Sequence, residues 1–253
     1  MDRRLFVRRA AWAAAGVWGL GLGTRPGRAP GREPGPVRVR VWCEGTAPRS
    51  IYPDDVDGVL GDHLRGQPGL QVARARLDQP EAGLGDAALE ATDVLVWWGR
   101  LRHDDVPDAR ARAIVERVKA GRLGLVALHA SCASKPFRAL MGTSCEPGSW
   151  RDDGRPEHVV VRAPGHPIAH GVEPFTIPKT SMYAEPFEVP PPEAVVFVSS
   201  WDRGETFRSG LTWAVGAGRV AYFRPGNDQF PVLFHPSVQR IVANAVRWAA
   251  PRG

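Results

Sequence analysis

Four short polar clusters in this 253-residue chain could do chemistry. Each sets histidine, arginine, glutamate or an aromatic residue close to glycine or proline, and they span 97–103, 129–135, 165–187 and 207–228. Imidazole and carboxylate groups can transfer protons or bind metals, and guanidinium groups bind oxygen-rich ligands. Aromatic faces pack against sugar rings in concave sites. The clusters therefore predict a sugar site or a metal site.

Within these clusters, His129 and Glu185 are the candidates for an acid/base or ligand pair. His129 follows an apolar run, at a predicted elbow between a strand and a helix. One residue of the pair Trp97 and Trp98 is expected in the core and the other in a pocket, because neighbours in a strand point to opposite faces. The candidates for substrate binding are Trp98, His103, His166, Tyr183, Arg208 and Arg224.

Cys132 suggests a different chemistry, that of a thiol-dependent hydrolase. An elbow exposes its side chain, and a helix N-terminus lowers the pKa of a thiol. However, Cys132 comes later than a nucleophile at a strand end would, and Ala130 is at the position where we expect that nucleophile. We therefore predict that Cys132, like Cys43 and Cys145, is a small buried residue.

Alternating strands and helices must position the clusters. Helical periodicity predicts helices over 55–65 and 107–120, and short apolar runs predict strands over 37–43, 70–77, 93–98 and 123–129. This alternation is typical of a flavodoxin-like, doubly wound α/β fold, with a mostly parallel sheet and helices on both faces. Ligands bind at the carboxyl ends of the strands in such sheets. The first two clusters fall there.

The second half of the chain is less regular. Apolar runs predict strands over 157–162, 194–200, 210–215 and 219–223, joined by proline-rich loops. The last element is a helix over 237–250, because Val238, Ile241, Val242 and Ala245 fall on one face at helical spacing. We expect this face to pack on the sheet.

The net charge of +6 does not indicate a nucleic-acid partner. Residues 1–36 contribute +5 of it, through seven arginines against Asp2 and Glu33, which leaves +1 for the rest of the chain. A protein that binds a polyanion needs its basic residues grouped on the folded surface. The excess charge here belongs to an N-terminal segment.

That N-terminal segment has the layout of a signal peptide. Arg3-Arg4-Leu5-Phe6-Val7 fits the twin-arginine pattern, and the uncharged run over 10–23 is too short to span a ~30 Å hydrocarbon core. We predict a twin-arginine signal peptide and a Pro/Gly/Arg-rich linker over 1–36, followed by one domain over 37–251. The partner of the segment would be the twin-arginine translocation machinery. Export would place the protein in the periplasm or outside the cell, or tethered to the membrane if the segment is not cleaved.

Several motifs of the predicted domain occur together in one known family. DVLVWWG, GLVALH, APGHPIAHG, MYAEPF, FRSG and GRVAYFRPG, in this order, resemble the ThuA-like family of trehalose-utilisation proteins. The resemblance implies a class I glutamine-amidotransferase-like fold and a role in the catabolism of disaccharides or oxidised glycosides, with a small sugar bound or processed at the strand ends. It also implies that the amidotransferase nucleophile is missing, in agreement with Ala130, so the chain is not a functional glutamine amidotransferase.

The chain departs from the family where histidines are expected. Arg100, Cys132 and Asn227 replace them, while His103, His129, His166, Glu185, Arg208 and Arg224 are retained. If the family histidines hold a divalent metal, up to three ligands are lost, and the Arg100 charge would repel a cation and favour an anionic or hydroxyl-rich ligand. We predict weak or absent metal binding, with sugar bound through His129, Glu185 and Arg208. A carbohydrate-processing enzyme and a catalytically degenerate sugar-binding relative both fit this pattern.

Overall fold

A computed structural model describes residues 35–252. In this range the chain forms five helices, α1–α5, at Asp55–Arg65, Asp86–Glu90, Asp108–Lys119, Lys135–Met141 and Pro236–Ala249. It also forms nine strands, β1–β9, at Val37–Cys43, Leu70–Arg76, Val94–Trp98, Gly124–Leu128, Pro147–Val161, Phe175–Phe187, Ala194–Ser200, Thr206–Val215 and Gly218–Phe223.

All nine strands belong to one sheet with the order β2-β1-β3-β4-β9-β8-β7-β5-β6. The first five are parallel and follow the 2-1-3-4-5 order of flavodoxin-like sheets. The remaining four pairings are antiparallel. The prediction of a mostly parallel sheet was therefore wrong for the second half. A short turn at 216–217 joins β8 to β9, and a connection this short can join only antiparallel strands.

Helices cover both faces of the sheet, as the alternation predicted. On one face, α1 and α5 bury side chains such as Leu60 and Ile241 against Val96 and Val126. On the other face, α3 and α4 bury Ile114 and Phe137. The predicted apolar face of the last helix is confirmed, since the side chains of Val238, Ile241, Val242, Ala245, Val246 and Ala249 are all buried. The two cores sandwich the central strands and fix their carboxyl ends.

The sequence missed one element that matters for the site. The segment containing Ser181 to Phe187 was predicted as a loop but forms part of β6. It pairs along β5, which begins ten residues earlier than predicted, at Pro147. Both strands alternate irregularly and contain prolines, at positions 147, 156, 178 and 186, so they lack the apolar run that signals a buried strand. Their pairing with each other stabilises them.

Residues 1–34 lie outside the described part of the chain. The twin-arginine signal peptide and linker over 1–36 consequently stay a prediction, as does export. Within the part that the structure covers, none of the helices has the length and apolar character required to cross a membrane.

Candidate active site

The end of β4 forms a sharp elbow at His129. The strand stops at Leu128, and His129 has φ of 55°, a left-handed conformation that is costly for a residue with a side chain. A short 3₁₀ helix follows, from His129 to Ala133. The strained elbow residue is therefore His129, as predicted, and it lies one residue before Ala130, where the sequence led us to expect a nucleophile. Strained elbows of this kind aim a side chain at a ligand.

The imidazole of His129 is neutral and has a defined orientation. Its Nδ1 lies 3.3 Å from the carbonyl oxygen of Arg224. A carbonyl only accepts hydrogen bonds, so Nδ1 carries the proton and Nε2 holds the lone pair. Burial, assisted by the Arg224 charge, lowers the pKa of His129 to about 3. The group can therefore accept a hydrogen bond through Nε2 at physiological pH.

His129 lines a cavity of about 310 Å³ at the carboxyl ends of the parallel strands. The loop after β3 contributes Arg100, Leu101 and His103, and the loop after β9 contributes Asn227. The carboxyl ends of parallel strands meet at one edge of a sheet, which explains why these distant segments converge. Of the predicted site residues, His103, His129 and Tyr183 line this cavity.

The paired strands β5 and β6 form one wall of the cavity. Trp150 and Asp152 project from β5, and Ser181 and Tyr183 project from β6. Alternate residues of a strand share a face, so each strand contributes every second side chain. The Tyr183 ring stacks on the imidazole of His129 with ring centroids 5.5 Å apart.

Arg100 lies in the cavity but its charge is compensated. Its guanidinium lies 3.2 Å from an Asp152 oxygen and 3.1 Å from Oδ1 of Asp228. Asn227 donates a hydrogen bond from Nδ2 to Oδ1 of Asp152 at 3.3 Å. Burial raises the pKa of the Asp228 carboxyl, although Arg100 opposes this shift. Arg100 and Asn227, two of the three positions where the resemblance predicted histidine, are thus bound to acidic side chains.

His103 lies beside a buried carboxylate that the sequence did not point to. Glu44 follows β1 and accepts hydrogen bonds from the backbone N–H groups of Leu101 and Arg102. Its Oε1 lies 3.6 Å from Nδ1 of His103. Burial lowers the pKa of His103, with Glu44 opposing the shift. The signal that could have found Glu44 is its place directly after the first strand.

Glu185 and Arg208 pair with each other away from the cavity lining. Nε of Arg208 donates to Oε1 of Glu185 at 2.9 Å, and Nη2 donates to Oε2 at 3.0 Å. The backbone N–H groups of Arg208 and Phe187 also donate to this carboxylate. Burial raises the pKa of Glu185, but these hydrogen bonds outweigh it and the net shift is downward. The carboxylate is therefore ionised and already bound.

Two further predicted site residues, Arg224 and Trp98, also lie outside the cavity lining. Arg224 is fully buried, pairs with Glu157 and donates to the carbonyl of Ser181 at 2.7 Å. We predicted that one of Trp97 and Trp98 lies in the core and the other in a pocket, and this was wrong. Their side chains point to opposite faces of the sheet, but both are buried in the core and neither lines the cavity. Nε1 of Trp98 donates to the Gly226 carbonyl at 2.8 Å.

His166 caps a short turn far along the chain from the elbow. Its Nδ1 accepts a hydrogen bond from the backbone of Ile168, and its ring packs against Trp248 of α5 with centroids 5.5 Å apart. It does not belong to the lining of the cavity. Four of the predicted substrate-binding residues, Trp98, His166, Arg208 and Arg224, are thus occupied by protein contacts.

The three cysteines are free and buried, as predicted. Cys132 lines the cavity, but burial raises the pKa of its thiol to about 12. A thiol must be deprotonated to act as a nucleophile, and in this buried environment the Cys132 thiol remains protonated at neutral pH. The geometry therefore does not favour a thiol-dependent hydrolase.

The residues of the cavity do not fit a divalent metal. Zinc and related ions need three or four ligands with free lone pairs. Of the retained residues that could be ligands, only His103 and His129 share the cavity, whereas His166 and Glu185 lie outside it. Over residues 35–252, the one group of three side chains with ligand atoms within 4.8 Å of each other is Cys43, Asp55 and Asp57. Both oxygens of Asp57 there bind arginines. Weak or absent metal binding stays a prediction.

Comparison with known proteins identifies the class. The sequence profile of the ThuA family, described as trehalose utilisation, matches residues 50–249. The fold is that of two ThuA-like proteins of known structure. One, from Parabacteroides merdae, is 15% identical with a TM-score of 0.64 and covers 85% of this chain and 90% of its own. The other, from Bacteroides uniformis, is 16% identical with a TM-score of 0.63 and covers 88% and 95%.

The same fold occurs in a glutamine amidotransferase from Thermotoga maritima, which is 10% identical with a TM-score of 0.52 and covers 84% of this chain and 97% of its own. No curated protein is significantly similar in sequence. The family profile covers most of the chain, so the chain belongs to the ThuA family. The predicted resemblance is confirmed, together with the amidotransferase-like fold.

Proposed function

We propose that this protein binds an uncharged sugar in the cavity at His129, in a role related to trehalose utilisation. The observation that carries the proposal is the neutral imidazole at the elbow, whose Nε2 lone pair is free to accept a hydrogen bond from a sugar hydroxyl. Tyr183 beside it offers an aromatic ring, and Ser181 and Asn227 offer further polar groups. Sites that bind small polar ligands combine an apolar wall with a few placed polar groups in this way.

The charges around the cavity favour a neutral ligand. Arg100 is paired with Asp152 and Asp228. The other lining arginine, Arg138, lies 3.6 Å from Oε1 of Glu146 and donates to the Ser144 carbonyl. Because each guanidinium has a carboxylate partner, an anionic ligand would find no uncompensated positive charge. The ligand favoured is therefore hydroxyl-rich and uncharged, and a sugar phosphate is disfavoured.

The same geometry supports binding better than acid/base processing. His129 and Glu185 do not share the cavity, and Glu185 is an ionised partner of Arg208. A general base works best when its pKa is near the working pH, whereas the pKa of His129 is about 3. The described residues thus resemble a sugar-binding member of the family that lacks an assembled acid/base pair.

A thermal-shift screen of the purified protein tests the proposal. We expect trehalose or another neutral disaccharide to raise the melting temperature, since a ligand at 100 times its Kd stabilises the folded state by about 2.7 kcal/mol. The phosphorylated disaccharide and divalent metal ions are the comparison ligands. Stabilisation by phosphates or metals but by no neutral sugar would refute the proposal.

His129→Asn should weaken sugar binding by about 5- to 100-fold, because a hydrogen bond to a buried ligand group is lost and the hydroxyl is left unpaired. Asparagine tolerates the left-handed backbone and can donate to the Arg224 carbonyl, so the fold should be kept. His166→Asn is the matched control, since His166 lies outside the cavity lining. Isothermal titration with the sugar from the screen measures both. Equal losses in the two variants would contradict the assignment of His129.

A further inference from the structure

We infer that Trp150 is the platform for the outer ring of the disaccharide ligand and sets the affinity for that second sugar unit. This rests on the proposed function. Trp150 lines the cavity and yet the residue is 64% exposed. Tryptophan is the largest apolar side chain, and such exposure at the mouth of a ligand cavity is typical of a binding surface.

The strand register sets the direction of the Trp150 side chain. Trp150 pairs directly with Tyr183 across β5 and β6. Side chains that oppose each other in an antiparallel pair lie on the same face, with Cβ atoms about 5 Å apart. Tyr183 in turn stacks on His129. Trp150 at the mouth and Tyr183 beside His129 therefore lie on one face of the β5–β6 pair.

The offset of Trp150 from His129 fits the second unit of a disaccharide. A first sugar ring hydrogen-bonded to His129 would lie beside Tyr183, whose ring stacks on the imidazole. The indole of Trp150 is one strand spacing further out, about 5 Å, where the next unit of a glycoside would lie. A monosaccharide held at His129 would leave the indole uncovered.

The outer part of β5 is held in place from its other face. Arg151, between Trp150 and Asp152, forms ion pairs with Asp153 at 3.0 Å and with Glu205 at 2.6 Å. Asp152 is tied to Arg100 and Asn227. A platform that is ordered before binding loses less conformational entropy when the ligand arrives. Because these contacts hold β5 in place around Trp150, the indole is suited to bind a ligand.

The test compares disaccharide and monosaccharide binding in wild type, Trp150→Ala and Trp150→Phe by isothermal titration. We expect trehalose affinity to fall at least about tenfold in Trp150→Ala and much less in Trp150→Phe, which keeps an aromatic ring. Glucose affinity should be the same in all three proteins. Because the indole is exposed, the variants should melt near the wild-type temperature, and this is checked first.

Each other outcome has a distinct meaning. Wild type that binds neither sugar overturns the proposed function and this inference with it. Trehalose binding that is unchanged in Trp150→Ala overturns the platform and leaves the proposed function standing. The exposed indole could instead contact a second copy of the chain, and analytical ultracentrifugation of the same variants tests this. A wild-type dimer that becomes monomeric in Trp150→Ala, with sugar affinity unaltered, would assign Trp150 to an interface between copies.

Discussion

Replacing Arg224 by methionine is expected to lower the free energy of unfolding by about 3–5 kcal/mol. Arg224 and Glu157 form an ion pair in which both side chains are fully buried. Ser199 donates to Glu157, and the guanidinium lies over the ring of Trp201 at 5.2 Å. Removal of the cation leaves a buried carboxyl group without its charge partner, which costs far more than the net value of the pair.

Two further variants show whether the loss of unfolding free energy comes from the broken ion pair or from lost side-chain packing. Glu157→Gln keeps the shape of the acid and removes its charge, so it should destabilise in the same direction. The double variant Glu157→Leu with Arg224→Met removes both charges and should recover most of the loss, because apolar pairs of similar volume often replace buried ion pairs without penalty. Urea denaturation gives the free energy for each protein.

This experiment also decides the role of Arg224, which the sequence analysis assigned to substrate binding. A loss below about 1 kcal/mol in Arg224→Met, with no recovery in the double variant, would mean that the guanidinium is not anchored by Glu157. Arg224 would then again be a candidate for ligand binding. A large loss with recovery assigns it to the fold, where its backbone carbonyl orients His129.

Acid should destabilise the protein through His129 by about 3 kcal/mol between pH 7 and pH 4. The folded-state pKa is about 3, whereas an exposed histidine has a pKa of 6.5. Between these values the unfolded chain binds a proton that the folded protein does not, so stability falls by about 1.4 kcal/mol per pH unit as pH decreases. The stability associated with neutral His129 is complete above pH 6.5 and is lost as pH falls towards 3.

The difference between wild type and His129→Asn isolates this group. Burial also lowers the pKa of His63, His103, His166 and His235, which act in the same direction. Burial raises the pKa of Glu157 and Asp228, which act in the opposite direction. These groups are common to both proteins, so subtraction of the two pH profiles of unfolding free energy removes them. Parallel profiles from pH 7 to pH 4 would show that His129 is not held neutral by the fold.

Local patterns were sufficient for the elements with a clear periodicity. The bounds of β1 and α1 in the first half, and of β7 in the second, match the sequence prediction residue for residue, because burial of one face imposes a periodicity that neighbouring residues display. The same reasoning placed His103 and His129 at one edge of the sheet, since the carboxyl ends of parallel strands converge there. Family motifs were likewise readable along the chain, and the family profile confirms them.

Local patterns failed where a long-range partner stabilises the structure. β6 has no clear strand signal of its own, and its pairing with β5 brings Tyr183 beside His129 and Trp150. The irregular segment thus became a wall of the cavity. No property of the isolated segment encodes that outcome, because strand formation there depends on hydrogen bonds from a partner strand.

The amino-acid sequence by itself determined the alternating α/β elements, the family and the strand-end position of His129, because all three depend on residue types and their local spacing. The tertiary structure alone decided which charged groups remain available to a ligand. Arg208 pairs with Glu185 23 positions away, Arg100 with Asp152 52 positions away, and Arg224 with Glu157 67 positions away. Charged side chains bind whichever opposite charge the fold brings within reach, and separation along the chain does not reveal that distance.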